Sequence, residues 1–213
     1  MWITLVHMVE MSRREQKRTI TREGVLDAAE RLLRADGDAA FSMRDLAAEA
    51  GVSFATPFNH FGSKAAIAQA LSTRRIDLMS ERFLKTAPSG DTIDRVLAAV
   101  SIAVAVMLEE PQINRAIIRS LGFPGASPSE VSAQSRALWA AAFGDGEGVD
   151  PALAEVAVER VPEQLAIAFR GCLSFWIADE ITDAQLPEKA RTTAITILLG
   201  FVHPGRRGDL LGS

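Results

Sequence analysis

The amino-acid sequence predicts an all-α protein of about nine helices, and three observations lead to this prediction. Apolar residues recur with the three- and four-residue spacing of a helix face along most of the 213 residues. No stretch shows the sustained alternation of apolar and polar residues that marks a half-buried strand. Hydrophobic residues make up 48% of the chain and charged residues 23%, which allows a full core without disulfides or structural metals.

The first part of the chain predicts three short helices. Apolar residues share one face over residues 21–35, which predicts the first of them. Ser42 and Asp45 have the spacing of a capping box, in which two side chains satisfy N–H groups at a helix start, so a second helix is expected there. Gly51 suits the positive φ that often ends a helix. Ser53 is expected to cap the third helix, since a serine hydroxyl can accept from an early N–H group.

The rest of the chain predicts about six longer helices, separated by loops rich in glycine and proline. Ser63 is expected to cap the first, which runs to about residue 85. Pro162 is expected to end a helix, because its ring removes an N–H donor and crowds the preceding turn. The others are predicted over residues 91–110, 111–122, 129–143, 151–161, 163–180 and 187–202.

The charge distribution allows a basic face on an acidic chain. The net charge is −4, but residues 11–64 hold nine Lys and Arg against eight Asp and Glu. For nucleic-acid binding, clustered charge matters more than the overall sum. Met8 or Met11 is an alternative start of the chain. A basic leader holds five cations in ten residues and either contacts nucleic acid or is simply solvated. These cations are Arg13, Arg14, Lys17, Arg18 and Arg22.

Several other classes of protein are not predicted. Cys172 is the single cysteine, so we expect no intrachain disulfide and a cytoplasmic protein. The three histidines are far apart in sequence, and no metal or cofactor is expected. The longest uncharged apolar run, residues 96–108, has 13 residues, fewer than the roughly 18–20 that cross a membrane. An enzyme is not expected, because the sequence contains neither a glycine-rich phosphate loop nor a nucleophile motif.

Residues 42–64 carry the pattern of a helix-turn-helix, two short helices joined by a tight turn. Leu46 and Val52 supply apolar side chains to a small core, and Ala47 is small where the helices cross. Gly51 permits the tight turn between them. The second helix can then enter the major groove of DNA with its N-terminal end.

Short motifs surround the helix-turn-helix. They are Ala28-Ala29, Gly37, Met43-Arg44-Asp45-Leu46-Ala47, Gly51-Val52-Ser53, Phe58-Asn59-His60-Phe61 and Lys64. In this combination, over about 45 residues, the stretch resembles the DNA-binding domain of the TetR family of bacterial regulators. The resemblance implies an N-terminal three-helix DNA-binding domain, followed by a helical domain that binds a ligand and dimerises.

The resemblance also implies roles for individual residues. Four are expected on the groove-facing side of the second, recognition helix: Phe54, Ala55, Thr56 and Asn59. Arg44 is expected to reach a guanine edge or a phosphate. Contacts with phosphates, which fix the register without reading sequence, are expected from Ser42, Ser53, His60 and Lys64. Phe61 is expected in the core.

Two residues depart from the family pattern. Phe58 stands where tyrosine is usual, so its ring can pack on a sugar or a thymine methyl but cannot donate a hydrogen bond to phosphate. Pro57 stands where an aliphatic residue is usual. If Ser53 caps the helix, Pro57 is its fourth residue and removes the hydrogen bond to the Ser53 carbonyl. A short, locally bent recognition helix is therefore expected.

The last long helix, residues 187–202, is apolar around most of its circumference. Such a helix is buried on more than one side, which one chain does not easily provide for a terminal helix. We therefore expect a homodimer in which this helix and residues 163–180 pair with their symmetry mates as a four-helix bundle. The alternative is burial wholly inside one protomer. The interface residues expected on the last helix are Ala190, Ala194, Ile197, Leu198 and Phe201.

Large side chains on the core helices are candidates for an effector pocket with few polar groups. They can equally be part of the core. Because no pattern of buried charge is visible in the sequence, the expected effector is an uncharged, hydrophobic or aromatic small molecule. The candidates are Met107, Trp139, Phe143, Phe169, Cys172 and Trp176.

Together these features predict a ligand-responsive DNA-binding transcription regulator, more readily a repressor than an activator, that a small effector releases from a near-palindromic operator. Its partners would be double-stranded operator DNA, the effector and a second copy of the chain. The alternative is an α-helical adaptor that binds proteins and not DNA. The predicted segments are a flexible basic leader (residues 1–18), the DNA-binding domain (residues 19–64), the effector-binding and dimerisation domain (residues 65–203) and a flexible tail (residues 204–213).

Overall fold

The computed structural model describes residues 13–36, 41–120 and 130–211. Within these ranges the chain forms ten α-helices, one short 3₁₀ helix and an isolated bridge between Val149 and Val202, but no strand. The all-α prediction is confirmed. The helices are α1 (Arg13–Asp36), α2 (Met43–Glu49), α3 (Ala55–Phe61), α4 (Lys64–Thr86), α5 (Thr92–Glu109), α6 (Pro111–Ser120), α7 (Glu130–Phe143), α8 (Ala154–Ile177), α9 (Leu186–Leu199) and α10 (Arg207–Leu211).

Some sequence-based expectations lie outside the described residues. They concern the alternative start at Met8 or Met11, Gly37 of the family motif and residues 1–12 of the predicted leader. Residues 13–18 of that leader, which we expected to be flexible, are helical and belong to α1. This segment lacks glycine and proline and is rich in glutamate, glutamine, lysine and arginine, which are good helix formers. The first helix therefore starts well before residue 21.

The chain divides into two compact units that meet between Ile67 and Ala68. In the first unit, α1, α2 and α3 pack around a small core. Val25 and Leu26 of α1 and Leu46 of α2 are almost fully buried there. Because short helices are only marginally stable alone, this shared burial supplies most of the stability of the unit.

The second unit has a larger core, formed mainly by α5, α7, α8 and α9. Helix α5 packs against both α7 and α9 and is buried on two sides. The largest fully buried side chains of this unit are Trp139, Trp176, Phe143, Leu71, Ile93, Leu186 and Leu198. This core is therefore built within a single chain.

The predicted interruption at Pro162 is wrong, because α8 continues through Pro162 from Ala154 to Ile177. Pro162 is buried, and apolar residues such as Val161 and Leu165 continue the same buried face on both sides of it. Burial of this face outweighs the cost of roughly 3 kcal/mol that proline imposes inside a helix.

The predicted flexible tail is largely folded. Pro204–Arg206 form a 3₁₀ helix that leads into α10. Leu210 is buried, and the Arg206 guanidinium forms ion pairs with Asp91 at 3.0 Å and Asp94 at 3.4 Å near the start of α5. The glycine content of the tail suggested fraying, but these contacts reach residues far away in sequence and cannot be read from local composition.

Two further tests concern membranes and metals. No single helix in the described ranges is both long and apolar enough to cross a membrane. By length and composition alone, α5 and α6 together are long and apolar enough to cross a membrane, although the pair is bent by 99°. The same ranges contain no group of His, Cys, Asp and Glu side chains that could hold a metal ion.

Candidate nucleic-acid interface and ligand cavity

The start of α2 has the capping box that the sequence predicts. The Ser42 hydroxyl accepts a hydrogen bond from the Asp45 backbone N–H at 3.2 Å. The Asp45 carboxylate accepts from the Ser42 hydroxyl at 2.7 Å and from its backbone N–H at 2.8 Å. Both hydrogen bonds to the carboxylate lower the pKa of Asp45, and the bond from the hydroxyl has the larger effect. Ser42 is thereby held at the exposed N-terminal end of α2, where phosphate groups bind readily.

A glycine makes the turn between α2 and α3. Gly51 has a φ of 65°, in the left-handed region that residues with side chains rarely adopt. The N–H groups of Gly51 and Val52 donate to the carbonyls of Ala48 at 3.1 Å and Ala47 at 3.0 Å, which closes the end of α2. The helix-turn-helix prediction is confirmed, and its glycine is required by the backbone angle.

The recognition helix begins differently from the prediction. The Ser53 hydroxyl lies 2.8 Å from the Thr56 hydroxyl and caps no N–H group, and α3 begins at Ala55. Pro57 is therefore the third helical residue. The Ser53 carbonyl, expected to lose its partner, accepts from the Thr56 N–H at 2.9 Å. Because N–H groups of the first turn have no partner within a helix, Pro57 removes no helix bond, and its ring is buried.

Two phenyl rings stand out on the exposed side of α3. Phe54, just before the helix, is 56% exposed and Phe58 is 41% exposed, and their rings meet edge to face with centroids 5.4 Å apart. Ala55 and Asn59 are also exposed, whereas Thr56 is half-buried. Rings placed in this way can pack against sugars and thymine methyl groups, while an asparagine amide can pair with a base edge.

Arg44 of α2 lies beside the same surface. Its guanidinium carbon is 6.0 Å from the centroid of the Phe54 ring, at the outer limit of a cation–π contact. The side chain is exposed. The structure thus brings Arg44 next to Phe54, at the N-terminal end of the recognition helix.

Two further cations lie over aromatic rings in this unit. The Arg22 guanidinium is 4.8 Å from the centroid of the Phe61 ring, and Lys64 Nζ is 4.4 Å from the centroid of the Phe41 ring. Partial burial lowers the pKa of Lys64. Phe61, expected in the core, is only half-buried. Neither ring contact has a signal in local spacing, since each joins residues from different elements.

His60 near the end of α3 lies among cations. Burial lowers its pKa, and the positive charges of Arg18 and Arg22 on α1 lower it further. The imidazole is therefore biased toward its neutral form. A nearby phosphate would oppose this bias, because a negative charge favours the protonated ring. The basic residues of the predicted leader thus contribute to the electrostatics of the recognition helix through α1.

Comparison with known families identifies the first unit. Residues 25–71 match the family described as bacterial regulatory proteins, tetR family. Residues 25–71 therefore form a domain of the TetR family. This agrees with the motifs from Ala28 to Lys64 that suggested the family.

Solved structures of TetR regulators resemble the chain over most of its length. A TetR transcriptional regulator from Rhodococcus sp. RHA1 matches with a TM-score of 0.70 and 21% identity, over 87% of this chain and 98% of that one. Full-length native TylP, a TetR regulator from Streptomyces fradiae, matches with a TM-score of 0.53 and 18% identity, over 93% and 92% of the two chains. A comparison with curated protein sequences gives no match.

The second unit contains a cavity of about 330 Å³. Three of the predicted pocket residues line it: Met107, Trp139 and Phe169. The Trp139 and Phe169 rings lie with their centroids 5.4 Å apart. The volume falls at the lower end of the range of small-molecule sites, roughly 300–1,000 Å³.

The other three predicted pocket residues do not line the cavity. Phe143 is fully buried in the core. The Cys172 thiol lies 3.6 Å from the Thr193 hydroxyl of α9, and the Trp176 indole N–H donates to Asp183 at 2.8 Å. Helical periodicity identified them as buried, but it could not separate a wall of the cavity from the contact with a neighbouring helix.

The cavity also has a polar side that the sequence analysis missed. Arg75 Nε donates to Asn114 Oδ1 at 2.8 Å, and the Asn114 amide group donates to the carbonyls of Val106 and Met107. Ser72 lines the cavity beside Arg75 and Asn114. The cavity wall is therefore mainly apolar but also carries polar side chains. Further polar side chains lie on α7 and α8, and no local pattern indicates that they share one cavity with those of α4 and α6.

The stripe expected at a dimer interface is largely covered within the chain itself. Ala190, Ala194 and Leu198 are buried, and α9 packs against α5 and α8. For these three residues the alternative, burial inside one protomer, describes the structure. Ile197 and Phe201 are only half-buried. Large exposed apolar side chains occur instead on α8.

Proposed function

We propose that this TetR-family chain is a homodimeric transcription regulator, which binds operator DNA through α2 and α3 and leaves it when a small effector occupies the cavity. The proposal rests above all on the exposed side of α3. There, an asparagine amide and two phenyl rings lie in the same small unit as several basic side chains. Such a surface combines groups that can contact base edges with groups that can neutralise phosphates.

In this proposal, α3 lies in the major groove. Asn59 pairs with a base edge, and Phe54 packs against thymine methyl groups. Ser42, at the N-terminal end of α2, contacts the phosphate backbone. Lys64, at the start of α4, also contacts a phosphate. Remaining contacts are assigned to Arg44, Ser53, Ala55, Thr56, Phe58 and His60.

Dimerisation is proposed through the outer face of α8 together with α9. Ile167 and Phe175 are more than half exposed on α8 and lie eight residues apart, just over two helical turns. Gly171 lies between them, and the space beside its Cα is open. Large apolar groups around a small residue allow two helices to approach closely. A two-fold dimer would carry two recognition helices, spaced about 34 Å apart for successive major grooves.

The DNA-binding claim is tested by selecting bound sequences from random duplexes and then measuring affinity against salt concentration. Each neutralised phosphate contributes about −0.9 to the slope of log K against log salt concentration. Lys64→Ala should weaken binding to all sequences and reduce the slope by about one phosphate. Lys85→Ala is the matched control, because Lys85 is exposed at the other end of the same helix and should leave both quantities unchanged.

Asn59→Ala separates sequence reading from phosphate binding. It should alter the preferred base at one position in each half-site and cost about 1–3 kcal/mol on the selected sequence, with an unchanged salt slope. Failure to select any duplex, or binding without salt dependence, would refute DNA binding and favour the protein-binding adaptor.

The dimer is tested by analytical ultracentrifugation of Phe175→Glu. A carboxylate buried at the two-fold interface lacks a partner, so the variant should sediment as a monomer. Leu84→Glu is the control, because Leu84 of α4 is also an exposed apolar residue but lies on neither α8 nor α9. A monomeric wild-type protein, or a dimeric Phe175→Glu variant, would contradict the proposed interface.

A further inference from the structure

The cavity in the second unit contains polar groups that the described chain leaves unsatisfied. Trp139 of α7 and Ser72 of α4 both line the cavity, and both are more than nine-tenths buried. Neither the Trp139 indole N–H nor the Ser72 hydroxyl has a hydrogen-bond partner among the described residues. Buried polar groups are normally paired, and an unpaired one in a cavity wall indicates a group that a ligand can satisfy.

The hydrogen-bond donors in the cavity wall indicate the chemistry of that ligand. The indole N–H can only donate, and a guanidinium can only donate. Arg75 lines the same cavity with its side chain 13% exposed and is fixed by its hydrogen bond from Nε to Asn114. A ligand that satisfies these groups together therefore brings acceptor oxygens.

The charges around the cavity favour an anion. Three arginines line it, Arg75, Arg136 and Arg170, against one carboxylate, Glu163. Arg75 is the least exposed of these four residues, and its guanidinium forms an ion pair with Glu110, with 3.7 Å between nitrogen and oxygen. Charge-assisted hydrogen bonds from arginine to carboxylates are stronger than those between neutral groups.

The remaining wall is apolar and gives the cavity its second character. Met79 and Met107 lie there with Ile117 and Phe169, and methionine side chains adapt to ligands of irregular shape. One side of the cavity therefore suits an acceptor head and the other an apolar body.

We propose that the cavity binds a small organic carboxylate with an apolar chain or ring, whose carboxylate is held by Trp139, Ser72 and Arg75. The inference rests on the proposed effector site and names its ligand class. It replaces the uncharged effector that the sequence suggested.

Calorimetry on the full-length protein without DNA tests the assignment with a matched set of probes. Decanoate and phenylbutyrate carry the carboxylate, decanol has the same chain with a hydroxyl, and methyl decanoate keeps the ester oxygens without the charge. Both carboxylates should bind, at least tenfold more tightly than decanol or the ester. Equal binding of decanol and decanoate would overturn the assignment, and so would the absence of binding by either carboxylate.

Variants then locate the head group. Trp139→Phe keeps a ring against Phe169 but removes the N–H, and Ser72→Ala removes the hydroxyl; each should weaken decanoate binding by about tenfold or more. Trp176→Phe is the control, because Trp176 donates to Asp183 and does not line the cavity. It should leave decanoate affinity unchanged. Wild-type affinity in both Trp139→Phe and Ser72→Ala would overturn the proposed head-group site.

The outcomes distinguish this inference from the proposed function. If no carboxylate binds while salt-dependent DNA binding persists, the ligand class is wrong and DNA binding stands. If decanoate binds but leaves DNA affinity unchanged, the site is correct and the release step is wrong. Trp139→Phe should bind DNA like the wild type when no ligand is present, since Trp139 belongs to the second unit.

Discussion

Pro57 lies in a helix, where proline is normally costly, yet its replacement by alanine should destabilise the protein. Its position in the first turn means that alanine restores no helix bond, because the Ser53 carbonyl already accepts the Thr56 N–H at 2.9 Å. The substitution removes two buried ring methylenes, worth about 0.8 kcal/mol each. It also gives the unfolded chain more freedom, which costs a further 0.4–1 kcal/mol or so. The expected loss is about 2–2.5 kcal/mol.

Pro162→Ala is the internal comparison for this argument. Pro162 is equally buried but lies in the interior of α8, where alanine regains an N–H donor and relieves crowding worth roughly 3 kcal/mol. The same losses of burial and chain restriction offset most of this gain. Pro162→Ala should therefore lie between neutral and about 1 kcal/mol more stable than the wild type.

Urea unfolding followed by circular dichroism measures the free energy of unfolding of both variants. Hydrogen exchange of the Leu46 and Ala47 amides reports the stability of the first unit separately. Those amides should exchange faster in Pro57→Ala and at the wild-type rate in Pro162→Ala, since Pro162 belongs to the second unit. A Pro57→Ala protein more stable than the wild type would refute the argument, since it would mean that the proline does cost α3 a hydrogen bond.

Four further predictions concern the first unit. Gly51→Ala should lower the free energy of unfolding by about 1–2 kcal/mol through its positive φ alone. Gly24 lies inside α1 with a negative φ and open space around it, so Gly24→Ala should raise the free energy of unfolding by about 0.5–1 kcal/mol. The same urea titration measures both. Asp45→Asn should lower stability at neutral pH, because folding lowers the pKa of the Asp45 carboxyl. The difference in stability from the wild type should disappear as pH falls below about 4. Unfolding at several pH values measures it. Phe58→Tyr should strengthen DNA binding about two- to tenfold at low salt if the added hydroxyl reaches a phosphate; unchanged affinity would contradict the assigned orientation. Binding should take up a proton at His60, so affinity should rise as pH falls toward about 6 in the wild type and stay level in His60→Gln.

Much of the helix-turn-helix could be predicted because its determinants are local. Ser42 and Asp45 are three residues apart, and their capping box depends on little beyond their own backbone. Gly51 is required by a single φ angle. Even so, the helix start was misplaced at Ser53, since its hydroxyl bonds to the Thr56 side chain and not to the backbone.

In the second unit, local sequence patterns predict which residues are buried but not which element covers them. Periodicity correctly indicated that Ala190, Ala194 and Leu198 are buried, but burial by α5 and α8 of the same chain looks identical in sequence to burial by a partner. Phe175 of α8 is exposed, whereas an apolar residue on an apolar helix is expected to be buried.

The sequence by itself therefore determined that the chain is all-α, and it located the helix-turn-helix of a TetR-family domain, because helical periodicity, caps and turn glycines act over a few residues. Only the tertiary structure decided which side of each apolar helix meets another helix and which meets a cavity. It also placed Trp139 of α7 and Arg75 and Ser72 of α4 around the same space. Those contacts join residues far apart in the chain, and their geometry depends on how whole helices pack, which no local spacing encodes.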